Sequence, residues 1–123
     1  MISQQYASNA YMKTMVNTSA SKLDLVIMLY DGSIEFLKKA VFYMNQKNVA
    51  KKLHYMDKAM AIIQHLQATL NMEAGGEIAQ NLQRLYMYML TELTIANIRN
   101  DTEKISRVEG LLRTLREGWK GIR

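Results

Sequence analysis

The chain contains no cysteine and no proline, and its 123 residues include only six glycines and two histidines. Each shortage removes a class of answer. Without cysteine there is no disulfide framework and no thiolate chemistry, a composition compatible with the cytoplasm. Without proline, and with two of the glycines adjacent at Gly75–Gly76, most of the turn punctuation of an all-β chain is missing. No stretch approaches the roughly 18 apolar residues that span a bilayer, so membrane insertion is not expected. The opening MISQQYASNAYMK lacks the apolar centre of a signal peptide, which again fits a cytoplasmic location. Apolar residues make up 49% and charged residues 22%, outside the ranges of disordered and membrane chains, and the net charge is a moderate +5.

Methionine is abundant, at ten copies. It is flexible and polarisable, suited either to filling gaps in a helical core or to a surface that accommodates a partner. Four helical segments account for most of the chain, at about 21–44, 49–70, 77–99 and 101–120. Ser21 with Asp24 three residues later has capping-box spacing at the first start. Asn48 caps the second, NMEAGG ends it with Glu77 opening the third, and Asn100–Asp101 makes a turn and a new start. Short connections make successive helices antiparallel. The expected fold is all-α: an antiparallel up-down four-helix bundle over 19–123, preceded by an N-terminal arm or short lid helix over 1–18.

The helix faces are unequal. The fourth segment carries one stripe, Ile105, Val108, Leu112, Leu115, Trp119 and Ile122, and its Glu109–Arg113 spacing suits a surface pair. The second carries Leu53, Met56, Met60, Ile63 and Leu70. The first carries two stripes. Leu25, Leu29, Phe36, Ala40 and Tyr43 form one; Ile27, Tyr30, Ile34, Leu37, Val41 and Met44 form the other, roughly 150° away. Together they cover an arc of about 220°, where an amphipathic helix needs about 100°. The third has a core stripe at Ile78, Leu82, Leu85, Met89, Leu93 and Ala96, and a second nearly opposite at Met87, Tyr88, Thr91, Ile95 and Ile98. Within RLYMYML, residues 84–90, large side chains including Leu90 go right round the helix.

A contiguous exposed apolar surface on a soluble protein marks a partner site. The candidate partner-binding residues are therefore Ile27, Tyr30, Ile34, Leu37, Met87, Tyr88, Leu90, Thr91, Ile95 and Ile98. The arm supplies side chains for a removable cover, with Tyr6, Tyr11, Met12 and Met15 as its lid residues.

Catalysis finds little support. His54 and His65 lie about 16 Å apart along one helix, too far to share a metal. No Glu-x-x-His pair and no phosphate-binding loop occurs, so no catalytic residue, metal or cofactor is assigned and an enzyme is not expected. Lys38, Lys39, Lys47, Lys51, Lys52 and Lys58 face a single acid, Asp57, between 38 and 58. Such a patch suits phosphates, but without a recognition helix or an aromatic-interleaved groove it reads as a solvated face, and nucleic acid is not the expected partner.

Several segments in order carry a resemblance: AY at 10–11, MLYDG at 28–32, LNMEAGGEIAQNLQRLY at 70–86, ANIRND at 96–101 and VEGLLRTLREGW at 108–119. With these the chain resembles the flagellin-specific export chaperones, the FliS family, over nearly its whole length. One departure is that Lys22 follows Ser21 where the family commonly has proline. The resemblance implies a cytoplasmic chaperone for bacterial flagellum biogenesis and protein secretion. Such a chaperone holds the disordered C-terminal segment of flagellin, blocks premature polymerisation and engages the flagellar export gate. It does not say which stripe takes the client. A monomer or weak homodimer is expected. Two alternatives remain at this level, a self-associating bundle and a basic nucleic-acid module.

Overall fold

The computed structural model describes residues 19–122. Four helices follow one another: α1 (Ser19–Asn45), α2 (Val49–Ala68), α3 (Met72–Arg99) and α4 (Thr102–Gly121). The connections at 46–48, 69–71 and 100–101 are too short to cross the molecule, so each helix reverses against the one before it. Packing runs α1–α2, α2–α3, α3–α4 and back from α4 to α1, while the diagonal helices keep their backbones apart and meet through side chains in the core. This is the antiparallel up-down four-helix bundle that the sequence predicts.

With no proline available, the turns are made by asparagine and aspartate. The Asn48 side chain accepts the Lys51 N–H at 3.2 Å, Asn71 accepts from Ala74 at 3.0 Å, and Asp101 accepts from Lys104 at 3.2 Å. Each satisfies an orphan amide of a first turn. Asn100 closes α3 in the left-handed conformation, φ 53°, which asparagine tolerates better than most residues.

Two helix starts depart from the sequence reading. The first helix begins at Ser19, which places Ser21 inside it instead of at its cap. The third begins at Met72 under the Asn71 cap, five residues before Glu77. The break read at Gly75–Gly76 is present, but as a kink inside α3: Gly76 has φ 53° and ψ −129°, a combination open to glycine and strained for any other residue.

The core runs along the axis. α1 contributes Tyr30, Ile34, Leu37, Ala40 and Met44; α2 contributes Met56, Ala59, Ile63 and Leu66. α3 adds Leu82, Tyr86, Met89, Leu93 and Ala96, and α4 adds Ile105, Val108 and Leu112. Leu53 and Ile78, placed on core stripes by periodicity, are exposed. Polar ties close the seams: Lys104 pairs with Glu92 at 2.8 Å between α4 and α3, and Arg116 pairs with Asp31 between α4 and α1. The Glu109–Arg113 pair forms within α4 at 2.7 Å.

Candidate functional site

The run at 84–90 divides by face. Tyr86 and Met89 point inward and are fully buried, while Leu85 and Leu90 lie half-buried against the core. Met87 and Tyr88 are left in water, 55% and 50% exposed. Further along, Thr91 is exposed, Ile95 is half-buried, and Ile98 is 75% exposed. From Met87 to Ile98 this stripe extends about 16 Å. The back of α3 thus presents large apolar side chains to solvent, as periodicity predicts.

At the kinked end of α3 the apolar surface becomes concave. A cleft of about 260 Å³ lies where all four helices approach one another, with Val26, Leu66, Leu70, Ile78, Leu82 and Trp119 among its walls. An adjoining groove of about 240 Å³ continues between α3 and α4 past Leu115 and Ile122. Ile78, Leu82 and Trp119 belong to both, so the two form one channel. The Gly76 kink precedes Ile78 by two residues, and Ile78 stands 71% exposed at the rim. Sequence periodicity missed this site because the kink, which it read as the end of a loop, changes the direction of the residues that follow.

Four of the candidate residues require correction. Ile27, Tyr30, Ile34 and Leu37 are buried, and the last three belong to the bundle core. The second stripe of α1 is its inward face and offers no open groove. The other stripe, through Leu29, Phe36 and Tyr43, is the half-buried one. From sequence the two are equivalent, since both are apolar at helical spacing; which one faces inward depends on where α2 and α4 dock.

Tyr30 and Tyr86 meet in the interior, hydroxyl to hydroxyl at 2.5 Å, joining the diagonal helices α1 and α3. Burial pushes both phenols above their ordinary range. At Tyr30, hydrogen bonding to the Tyr86 and Trp119 side chains offsets part of that rise, whereas at Tyr86 the bond to Tyr30 adds to it.

A charged cavity of about 450 Å³ opens between α1 and α4. Its ions neutralise one another: Lys38 pairs with Glu35, Arg113 with Glu109, and Arg116 with Asp31 and Glu117. No group of three histidine, aspartate or glutamate residues that could hold a metal occurs among the described residues. Among them, too, no helix is long and apolar enough to cross a membrane. The lid residues Tyr6, Tyr11, Met12 and Met15 lie outside the described residues.

Sequence reading also missed an aromatic ladder on the α1–α2 seam. The Tyr55 ring stacks on Tyr43 at 5.6 Å and on Phe36 at 6.0 Å, with lysines alongside. The signal was present in Phe36 and Tyr43, seven residues apart on one stripe, with lysines within a turn of each.

The family model described as flagellar protein FliS matches residues 3–123. The flagellar secretion chaperone FliS of Salmonella typhimurium is 46% identical over 105 residues, 85% of this chain and 78% of its own. The Escherichia coli protein of the same name is 40% identical over 103 residues, 83% of this chain and 76% of its own. That of Bacillus subtilis is 36% identical over 111 residues, 90% and 81% respectively. On these matches, the chain belongs to the FliS family of flagellar secretion chaperones.

Proposed function

We propose that this chain binds the disordered C-terminal segment of flagellin, keeps it from polymerising, and delivers it to the flagellar export gate. The observation that carries this reading is the open apolar back of α3, Met87, Tyr88 and Ile98, on a helix whose inward face is already filled. A rigid bundle with spare apolar surface suits an amphipathic client that folds as it binds, laying its apolar side into a groove. The channel past Ile78, Leu82 and Trp119 extends the surface available to the same client. The work is done by binding, without a catalytic step, in the cytoplasm where the client is made.

Coupled folding over a large apolar area gives a strongly negative heat-capacity change. Calorimetry against full-length and C-terminally truncated flagellin tests the reading: tight binding with that signature is expected for the full-length protein and its loss for the truncated one. Equal binding of both would overturn it. The arm carrying Tyr6, Tyr11, Met12 and Met15 enters the proposal as a tethered competitor for this surface. The same titration on a chain lacking residues 2–16 is then expected to show tighter apparent binding, and unchanged affinity would remove the arm from the account.

A further inference from the structure

The α1–α2 seam carries a second surface of a different chemistry. Phe36, Tyr55 and Tyr43 form a continuous stack, and each ring has an ammonium against it. Lys58 Nζ lies 5.6 Å from the Phe36 ring centre, Lys39 Nζ 5.3 Å from Tyr55, and Lys51 Nζ 5.0 Å from Tyr43. Phe42 meets the Tyr43 ring edge-on at 5.1 Å and is itself 56% exposed. Val49 and Leu53, also exposed, continue the apolar surface along the start of α2.

The charge here is one-sided. Between residues 36 and 58 there are six lysines and one acid, Asp57. Lys38 turns to Glu35, but Lys39, Lys51 and Lys58 rest on rings, where cation–π attraction holds an ammonium without neutralising it. At the end of the ladder lies a cavity of about 200 Å³, bounded by Tyr43, Lys47, Val49 and Lys52 among others. Lys52 is 7% exposed, and its ammonium donates to Asn97 O at 3.0 Å and Asn100 Oδ1 at 2.9 Å. Both are neutral acceptors, so a buried cation lines the cavity with its charge uncompensated by them.

We propose that this face docks an acidic segment of a partner protein, one whose carboxylates alternate with aliphatic residues. The carboxylates meet Lys39, Lys51 and Lys58, the aliphatic residues cover Phe42, Val49 and Leu53, and one carboxylate enters the cavity beside Lys47 and Lys52. A protein segment fits better than a single-stranded nucleic acid. Base stacking needs a free ring face, and along the ladder Phe36, Tyr43 and Tyr55 lie against neighbouring rings and lysines. The surface is separate from the back of α3 and does not depend on flagellin being the client.

The probe is a fluorescein-labelled peptide of alternating glutamates and leucines, titrated by anisotropy against the full chain. Its glutamine–leucine counterpart and a single-stranded oligothymidylate run in parallel. The charge-reversed triple variant Lys39→Glu, Lys51→Glu, Lys58→Glu is expected to weaken the acidic peptide at least about tenfold, since rim charges set this type of recognition. Reversing the exposed Arg84, Arg99 and Lys120 removes as much positive charge elsewhere and is expected to change binding less than about threefold. The triple arginine variant keeps the charge and is expected to keep binding; a triple glutamine variant repeats the test should reversal disturb the thermal melt. Equal weakening by both reversals, equal binding of the glutamine peptide, or tighter binding of the oligonucleotide at the ladder would each overturn the proposal.

Discussion

Tyr30 and Tyr86 place their hydroxyls against each other in a core otherwise built of aliphatic and methionine side chains, and this has consequences a leucine would not have. Removing one hydroxyl leaves the other buried with a partner lost, at a cost of about 1–3 kcal/mol; removing both costs less than the sum. A urea-melt cycle over Tyr30→Phe, Tyr86→Phe and the double variant is expected to show that non-additivity. The pair also sets an alkaline limit. Both folded-state pKa values lie above the ordinary 10.0. Below pH 10 the phenols are protonated in folded and unfolded chains alike, and their contribution is complete. Above it the unfolded chain releases its protons first, so stability falls as pH rises, by up to about 1.4 kcal/mol per pH unit for each tyrosine. The double phenylalanine variant is expected to lose this part of the pH dependence in melts between about pH 8 and pH 11. At this scale the sequence was only half legible. Tyr88 was read as solvent-facing and is exposed, but Tyr30 was assigned to an open groove and is core. A tyrosine suits either place, and its hydroxyl partner lay 56 residues away.

At the scale of elements, local chemistry was readable and the orientation of faces was not. Asn48 and Asp101 cap as their positions predict, because an Asx side chain before a helical pattern acts on amides three residues on. Asn71 does the same, yet it was hidden by the glycine pair four and five residues later, which drew the helix start past it. The glycines have a different role. A Cβ on Gly75 would lie 2.6 Å from the Ala79 Cβ, and Gly76 holds a positive φ. Gly76→Ala is therefore expected to cost about 1–3 kcal/mol in a urea melt, a penalty carried by the backbone and not by lost contacts. For α1 the two apolar stripes were visible, but their assignment rests on long-range docking that periodicity cannot encode. For α3 the assignment holds in part: Leu82, Met89 and Leu93 are buried while Met87, Tyr88 and Ile98 are exposed, but Ile78 on the core stripe is exposed and Ile95 on the back stripe is half-buried. Ile98→Asp is expected to change stability by about 0.5 kcal/mol or less, whereas Leu93→Ala is expected to cost about 2–5 kcal/mol. A collapse of the fold with Ile98→Asp would make that face part of the core.

The whole molecule is a bundle with more apolar surface than its own core consumes. One excess lies along the back of α3, a second in the channel at its kinked end, and a third, mixed with lysine, over the α1–α2 seam. The architecture was legible from four periodic segments and short polar connections, since those alone force antiparallel neighbours. The channel was not, because it exists only where all four helices converge. The central claim is that the flagellin segment lies on the back of α3, and site-directed photo-crosslinking tests it most directly. A photoreactive phenylalanine analogue is placed at Met87, Tyr88 or Ile98, with Ser106 and Arg107 on the polar side of α4 as comparison positions. Peptide mapping of the adducts is expected to join the three α3 positions to the C-terminal segment of flagellin, with little adduct from α4. Adducts from the α4 positions alone, or α3 adducts outside that segment, would contradict the account.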